Sequence, residues 1–215
     1  ECGMQESTVH RILGKLSTLG YVEQVEETGC YRARLRMWEL GTAIINEHPV
    51  RRVATPFVHQ LHDATGETVS LTILDGDDVL YLDKVISPRA VRFTTRVGSR
   101  VPAPLTAGGK AILAQLDDAR GVVRRTIRRI KTSRQVTVET LMQEIDDARR
   151  HGYAVSRFSP GVVSFAAAIV ARDGHPAAAL SVSAPEERLD DEKRANIIEK
   201  VRVTCAEIAE RVGPL

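Results

Sequence analysis

The sequence predicts an α+β protein in two parts, a small helix-and-hairpin unit followed by a larger unit in which helices flank an antiparallel sheet. Three observations carry this. Apolar residues recur at helical spacing over residues 9–19 and give way at once to two short β-prone runs. From Glu67 onward, β-rich runs come in pairs around tight-turn sequences, Asp75-Gly76-Asp77-Asp78 and Arg172-Asp173-Gly174. Helical patterns precede, separate and follow those pairs, the order expected when helices cover one face of an antiparallel sheet and loops or a cavity lie against the other.

In "ESTVHRILGKLSTLGYV", Val9, Ile12, Leu13, Leu16 and Leu19 form one stripe, and Ser7, Thr8, His10, Arg11, Lys15 and Thr18 the polar face opposite. Glu6 and Ser7 stand where a helix start offers free N–H groups, and Gly20 is a helix stop. "YVEQVEETGCYRAR" then reads as a hairpin, Tyr21 to Val25 and Cys30 to Arg34, around Glu27-Thr28-Gly29. A short helix with small polar and basic residues at its start, joined to a hairpin with arginines on its return strand, is the arrangement of a DNA recognition helix and wing. An amphipathic helix packed on a hairpin has the same pattern, and the segment alone leaves both readings open.

"LRMWELGTAIINEH" continues as helix, with Met37, Leu40, Gly41, Ile44 and Ile45 on one face, until Pro49 interrupts. A further helix, from about Val50 to Thr65, ends at Gly66. The boundary near residues 47–50 gives segments 1–36, 37–49 and 50–215. In the last segment "TVSLTILDGDDVLYLDKV" is a hairpin and "AVRFTTRVG", residues 90–98, a third strand. "SRVPAPLTAGGKAILAQLD" leads into a helix over residues 107–116, and "ARGVVRRTIRRI" and "VTVETLMQEIDDARRHG" are helical. "VVSFAAAIVARDGHPAAALSVSAP" is a second strand pair, and a closing helix carries Ile197, Val201, Ile208 and Val212 along one side.

A chain of 215 residues with 43% hydrophobic and 27% charged residues can bury a proper core. Its net charge of +2 excludes a polycation that coats nucleic acid, so any DNA affinity is local. Cys2, Cys30 and Cys205 lie far apart and suggest neither a zinc cage nor a disulfide framework. No apolar run reaches the roughly 18 residues of a membrane span, and a cytoplasmic protein without cofactor is expected. His59 and His62 share a helix face with Asp63, but no further ligand sits at metal spacing, which favours a solvated face. The basic run Arg124, Arg125, Arg128, Arg129, Lys131 and Arg134 reads as a solvated or intersubunit face. "TAGGKA" departs from a phosphate loop at Pro104 and Ala111. The N–H groups of Ala107, Gly108 and Gly109 at a helix start instead suit a carboxylate. Ser181 and Ser183 alternate on one strand and so share a face, expected to be that of a cavity. No nucleophile with a partnered base is apparent, so no enzyme is expected.

The order of "STVHRIL", "LGYVEQ", "TGCYRARLRMWELG", "TGETVSLTILDGDDVLYLDKV", "RVGSRVPAPLTAGGKAILA", "RRHGYAV", "SPGVVSFAAAIV" and "AALSVSAP" resembles the IclR family of bacterial transcriptional regulators over nearly the whole chain. The resemblance implies a winged helix-turn-helix, a linker helix and a GAF-like effector domain, acting on an operator DNA as a homodimer or homotetramer that senses a small organic or aromatic acid. It implies two helices ahead of "STVHR", so the winged helix is expected to be partial here. By the same correspondence Ser7, Thr8, His10, Arg11, Arg32 and Arg34 meet DNA, and Ala107, Gly108, Gly109, Ser164, Ser181 and Ser183 hold the effector. Ser164 and Ala168 stand where the family often has Cys and Pro, and Val163 where it has Arg. Those departures imply a more apolar pocket, with Phe165 as a candidate to fill part of it. The competing functions are a sensing module that acts only through protein partners and an enzyme that uses the same cavity.

Overall fold

The computed structural model describes residues 3–89, 95–130 and 136–213. Residues 90–94 of the strand expected over 90–98, and Lys131 and Arg134 of the basic run, lie outside them. The chain divides into two compact units, Glu1–His48 and Pro49–Leu215.

The first unit contains α1 (Glu6–Thr18), β1 (Val22–Gln24), β2 (Tyr31–Ala33) and α2 (Leu35–Glu47). Gln5 occupies the cap position of α1 without a side-chain cap bond, so neither Glu6 nor Ser7 is the expected cap. Glu6 still places a negative charge in the first turn, where the helix dipole favours it. Glu23 pairs with Arg32 and Gln24 with Tyr31 across the hairpin. Its turn closes on Gly29, whose φ of 69° favours a residue without a side chain. Arg36 of α2 donates to the Leu19 carbonyl at 2.6 Å and lies 5.1 Å from the centre of the Tyr21 ring, which fastens α2 to the α1–β1 junction. The helix expected over "LRMWELGTAIINEH" starts at Leu35, two residues before the expected segment boundary. It ends before His48, whose extended backbone breaks it.

The second unit opens with α3 (Pro49–Thr65), where proline at the first helical position loses no hydrogen bond. The hairpin strands β3 (Thr68–Asp75) and β4 (Asp78–Val85) follow, then β5 (Arg100–Pro102), α4 (Ala107–Leu113), α5 (Ala119–Arg129) and α6 (Val138–His151). After α6 come β6 (Ala154–Ser156), β7 (Val162–Val170), β8 (Pro176–Pro185) and α7 (Asp191–Arg211). Among the described residues, six strands form one antiparallel sheet in the order β5-β4-β3-β8-β7-β6. The edge strands β5 and β6, three residues each, are too short to show a periodicity in sequence.

Helices cover both faces of this sheet, not one. Val163, Phe165, Ala167 and Ile169 of β7 join Leu180 and Val182 of β8 in a core with α3 and α7. Ala166 and Ala179, on the opposite face of the same strands, join a second core with α4, α5 and α6. A strand apolar on both sides must be covered on both. Phe165, 3% exposed, belongs to the first of these cores. Each strand thus presents the cavity with the residues that the α3–α7 core does not use.

Two ties hold the periphery. Arg125 donates to Asp77 at 2.9 Å and Arg129 forms an ion pair with Asp78, so α5 is tethered to the β3–β4 turn. For these two arginines the expected solvated or intersubunit face is replaced by a contact within the unit. Glu67, 3% exposed, receives Arg188 at 2.5 Å and Lys193 at 2.8 Å, joining the start of β3 to the chain around α7. A buried carboxylate needs such partners. His62 Nδ1 lies 2.7 Å from the Glu67 carbonyl, which gives this histidine a local structural role.

Candidate ligand cavity and nucleic-acid interface

The face of the sheet toward α4 carries a polar stripe. Ser70 of β3 lies opposite Lys84 of β4 on one side and Ser181 of β8 on the other. One row along, Ser183 of β8 lies opposite Ser164 of β7, which lies opposite Ser156 of β6. Residues directly opposite one another share a face. These side chains, with Thr72, Tyr81, Thr95, Val101, Leu105, Ala107, Phe158 and Val162, surround a cavity of about 160 Å³.

Five of the six expected residues line the cavity, Ser164, Ser181, Ser183 and Ala107 among them. Gly108 lines it too. Gly109 does not, and it corrects the expected cradle of three N–H groups: its N–H donates to Thr106 Oγ1 at 2.9 Å, the side-chain cap of α4. The glycine pair has a packing reason. A Cβ at Gly109 would stand 2.1 Å from the Ala103 carbonyl oxygen, and one at Gly108 would stand 2.6 Å from Thr72 Oγ1. The close approach of α4 to the turn before it requires position 109 to be bare, whereas at 108 the Thr72 side chain would have to turn aside.

The cavity is richer in hydroxyls than the departures at positions 163, 164 and 168 imply. Ser164 and Ser183 share a hydrogen bond of 2.8 Å, and Ser156 donates to the Leu105 carbonyl at 2.8 Å. Ser70 and Ser181, 3% and 8% exposed, make no side-chain hydrogen bond among the described residues. Among the described residues that line the cavity, the titratable ones are Tyr81 and Lys84. Burial raises the Tyr81 hydroxyl above its usual range and lowers the Lys84 ammonium to about 8. Ser70, Thr72, Tyr81 and Lys84 were not among the expected site residues. The alternation of Thr68, Ser70 and Thr72 with Val69, Leu71 and Ile73 in "TVSLTI" is a signal that could have found the first two.

In the first unit Ser7, His10 and Arg11 are exposed on α1, and Thr8 is half-buried. The His10 ring meets the Tyr31 ring edge-on at 6.4 Å, which braces the helix against β2. Arg32 projects from the return strand of the hairpin and Arg34 follows it at the cap position of α2; both reach Glu23, Arg34 at 3.6 Å. The six residues expected to read DNA therefore lie on one helix and the hairpin that follows it, with the wing arginines drawn to a carboxylate. Replacing Glu23 with Gln should release both arginines toward phosphate. We expect DNA to bind about threefold tighter at low salt, within the 0.2–1 kcal/mol typical of exposed pairs, with a steeper salt dependence. Fluorescence anisotropy with a labelled duplex over a salt series measures both, and an unchanged slope would remove the wing from the contact.

Family models extend these observations. The IclR helix-turn-helix domain matches residues 1–26, and the model described as bacterial transcriptional regulator IclR C-terminal matches residues 42–210. The HTH-type transcriptional repressor AllR of Salmonella paratyphi A is 31% identical over 212 residues, which cover 96% of this chain and 78% of that protein. The crystal structure of an IclR family transcriptional regulator from Brucella abortus has a TM-score of 0.80 at 24% identity, over 98% of this chain and 81% of that one. An IclR homolog from Microbacterium hydrocarbonoxydans, crystallised with 4-hydroxybenzoate, has a TM-score of 0.74 at 24% identity, over 97% of this chain and 87% of that one.

Proposed function

The chain belongs to the IclR family of bacterial transcriptional regulators, and on that premise we propose that a small organic acid in the cavity of its larger unit controls how α1 and the β1–β2 wing bind operator DNA. The observation that carries this reading is the row of buried hydroxyls, Ser70 and Ser181, that face a closed-in space beside a lysine. Neither hydroxyl makes a side-chain hydrogen bond among the described residues, so both are open to a ligand oxygen. Ser164 and Ser183 add a second polar row. Ala107 and Gly108 form the wall opposite the sheet. Ser7, Thr8 and Arg11 supply contacts at the helix, Arg32 and Arg34 contacts to phosphate, and His10 the brace that holds α1 to the wing.

We read the cavity as a binding site. Among the described residues, its lining contains no carboxylate, histidine or cysteine to serve as base or nucleophile. Cys205 is buried on the other face, its thiol pushed up to about 12, and packs as an apolar group. No described helix is long and apolar enough to cross a membrane. The exposed apolar residues of α2, among them Leu35, Trp38, Leu40 and Ile44, favour a homodimer, with a homotetramer as the larger form. An action confined to protein partners would leave the exposed Arg11 and the wing arginines without a role.

The test titrates operator DNA with the intact regulator in the presence and absence of small acids, 4-hydroxybenzoate and short hydroxy and oxo acids among them. A cognate acid should raise the melting temperature by mass action and change operator affinity by at least about fivefold, the lower end of ordinary allosteric coupling. If acids stabilise the protein but none alters DNA binding, the cavity is uncoupled from the DNA-binding unit and the reading fails.

A further inference from the structure

Tyr81 and Lys84 are three positions apart on β4, and strict alternation would put them on opposite faces. The register of the sheet changes this. Pairing shifts between Leu71 and Thr72, so that Thr72 lies opposite Tyr81, Leu71 opposite Asp83 and Ser70 opposite Lys84. One extra residue is thereby taken up on β4, as in a β-bulge. Leu82 goes to the α3–α7 core, where it is 2% exposed, and Tyr81 and Lys84 both line the cavity. Lys84 Nζ lies 5.8 Å from the Tyr81 ring centre and donates to Thr95, to its carbonyl at 2.9 Å and its hydroxyl at 2.7 Å. The cation is thus held against the cavity wall, in the same cross-strand row as the two buried hydroxyls.

We propose that Lys84 is the residue that binds the effector's carboxylate, and that Ser70 and Ser181 take a second oxygen of the same molecule, which selects small carboxylic acids bearing a hydroxyl or oxo group. The assignment rests on the cavity being the effector site. Three arguments support it. The α4 amide expected to help hold the anion, that of Gly109, is already capped by Thr106. Burial disfavours the charged form of Lys84, so a ligand carboxylate would recover interaction that the ammonium loses on leaving water. Ser70 and Ser181 follow Lys84 across adjacent strands about 5 Å apart, a spacing that a molecule of a few heavy atoms can bridge. The small volume agrees, since it lies well below the roughly 300 Å³ at which pockets for drug-sized ligands begin.

A pH dependence follows. The carboxylate of such an acid is ionised throughout the neutral and alkaline range, whereas Lys84 loses its proton near pH 8. Affinity should therefore hold at pH 7 and fall as pH rises beyond about 8, approaching tenfold per unit as the protonated fraction falls tenfold. Of the other groups nearby, Tyr81 titrates above its ordinary value and outside this window. Asp83 is turned to Arg51 and Thr55 of α3, and Lys110 of α4 to Glu144. On β3 and β8 the groups facing Lys84 are hydroxyls.

The experiment is isothermal titration of the intact protein with lactate, pyruvate, glycerate and 4-hydroxybenzoate, each beside its uncharged amide. The assignment expects at least one acid to bind ten times or more tighter than its amide. It also expects Lys84→Met to abolish that preference and Lys84→Arg to keep it beyond pH 9. An acid that binds wild type and Lys84→Met with the same preference over its amide overturns the role of Lys84 and leaves the cavity reading standing. Absence of binding by every acid overturns both. The wild-type pH profile needs no variant: affinity that stays flat between pH 7 and 9.5 also overturns the assignment.

Discussion

Gly109→Ala should lower the stability of the larger unit by at least about 3 kcal/mol, the upper end of the usual cost of overpacking a core. The added carbon would stand 2.1 Å from a backbone oxygen, that of Ala103, and neither α4 nor the turn before it can yield without losing contact with the sheet. At roughly 2–4 °C per kcal/mol for a domain of this size, the melting temperature should fall by about 6–12 °C. Gly108→Ala is the control. Its nearest obstacle is the side-chain hydroxyl of Thr72, at 2.6 Å, which can turn aside, so the loss should be about 1 kcal/mol. Thermal unfolding of the two variants side by side decides the matter. Equal losses would mean that α4 does not need its close seat on the sheet.

Arg11→Ala should weaken operator binding by about 1–3 kcal/mol, the value of one good base or phosphate contact. Arg11 is exposed on the polar face of α1 and forms no ion pair or hydrogen bond among the described residues, so its loss should leave the fold unchanged. His10→Ala should act differently. Because His10 meets Tyr31 edge-on, its removal loosens the α1–β2 brace and should reduce affinity less, and equally for operator and unrelated sequences. Gel-shift titration of both variants at one salt concentration separates the two outcomes. An operator affinity unchanged by Arg11→Ala would mean that α1 meets DNA by another face.

What could be read from sequence follows the physical signals. The hairpin of β3 and β4, the long α7 and the helix before Gly152 rest on period and turn chemistry, and residues 68–85, 191–211 and 138–151 fold accordingly. The coverage of the sheet on both faces was harder to foresee, because the alanines of β7 and β8 pack closely against α4 while carrying little apolar signal. Ser181 and Ser183 could be placed because residues two apart on a strand share a face, and Ser164 only through the family resemblance. Lys84 could not, since one register shift between Leu71 and Thr72 reverses the face on which counting by twos would put it relative to Tyr81. Gly109 was misassigned for a different reason. A glycine at a helix start is read equally well as an open amide or as room for a neighbour, and the carbonyl of Ala103 that decides between them is recognised only in three dimensions.

The alternation of the sheet also bears on how such proteins diverge. Ser70 stands between Val69 and Leu71, and Ser181 between Leu180 and Val182, four residues that are all fully buried in the α3–α7 core. On the assignment proposed above, a mutation at either serine should change what the chamber recognises while its neighbours in sequence go on holding the scaffold. Chemical preference and folding stability are thereby inherited on opposite sides of the same strands. Under that assignment, a single substitution along β3 or β8 should change ligand preference with little loss of stability.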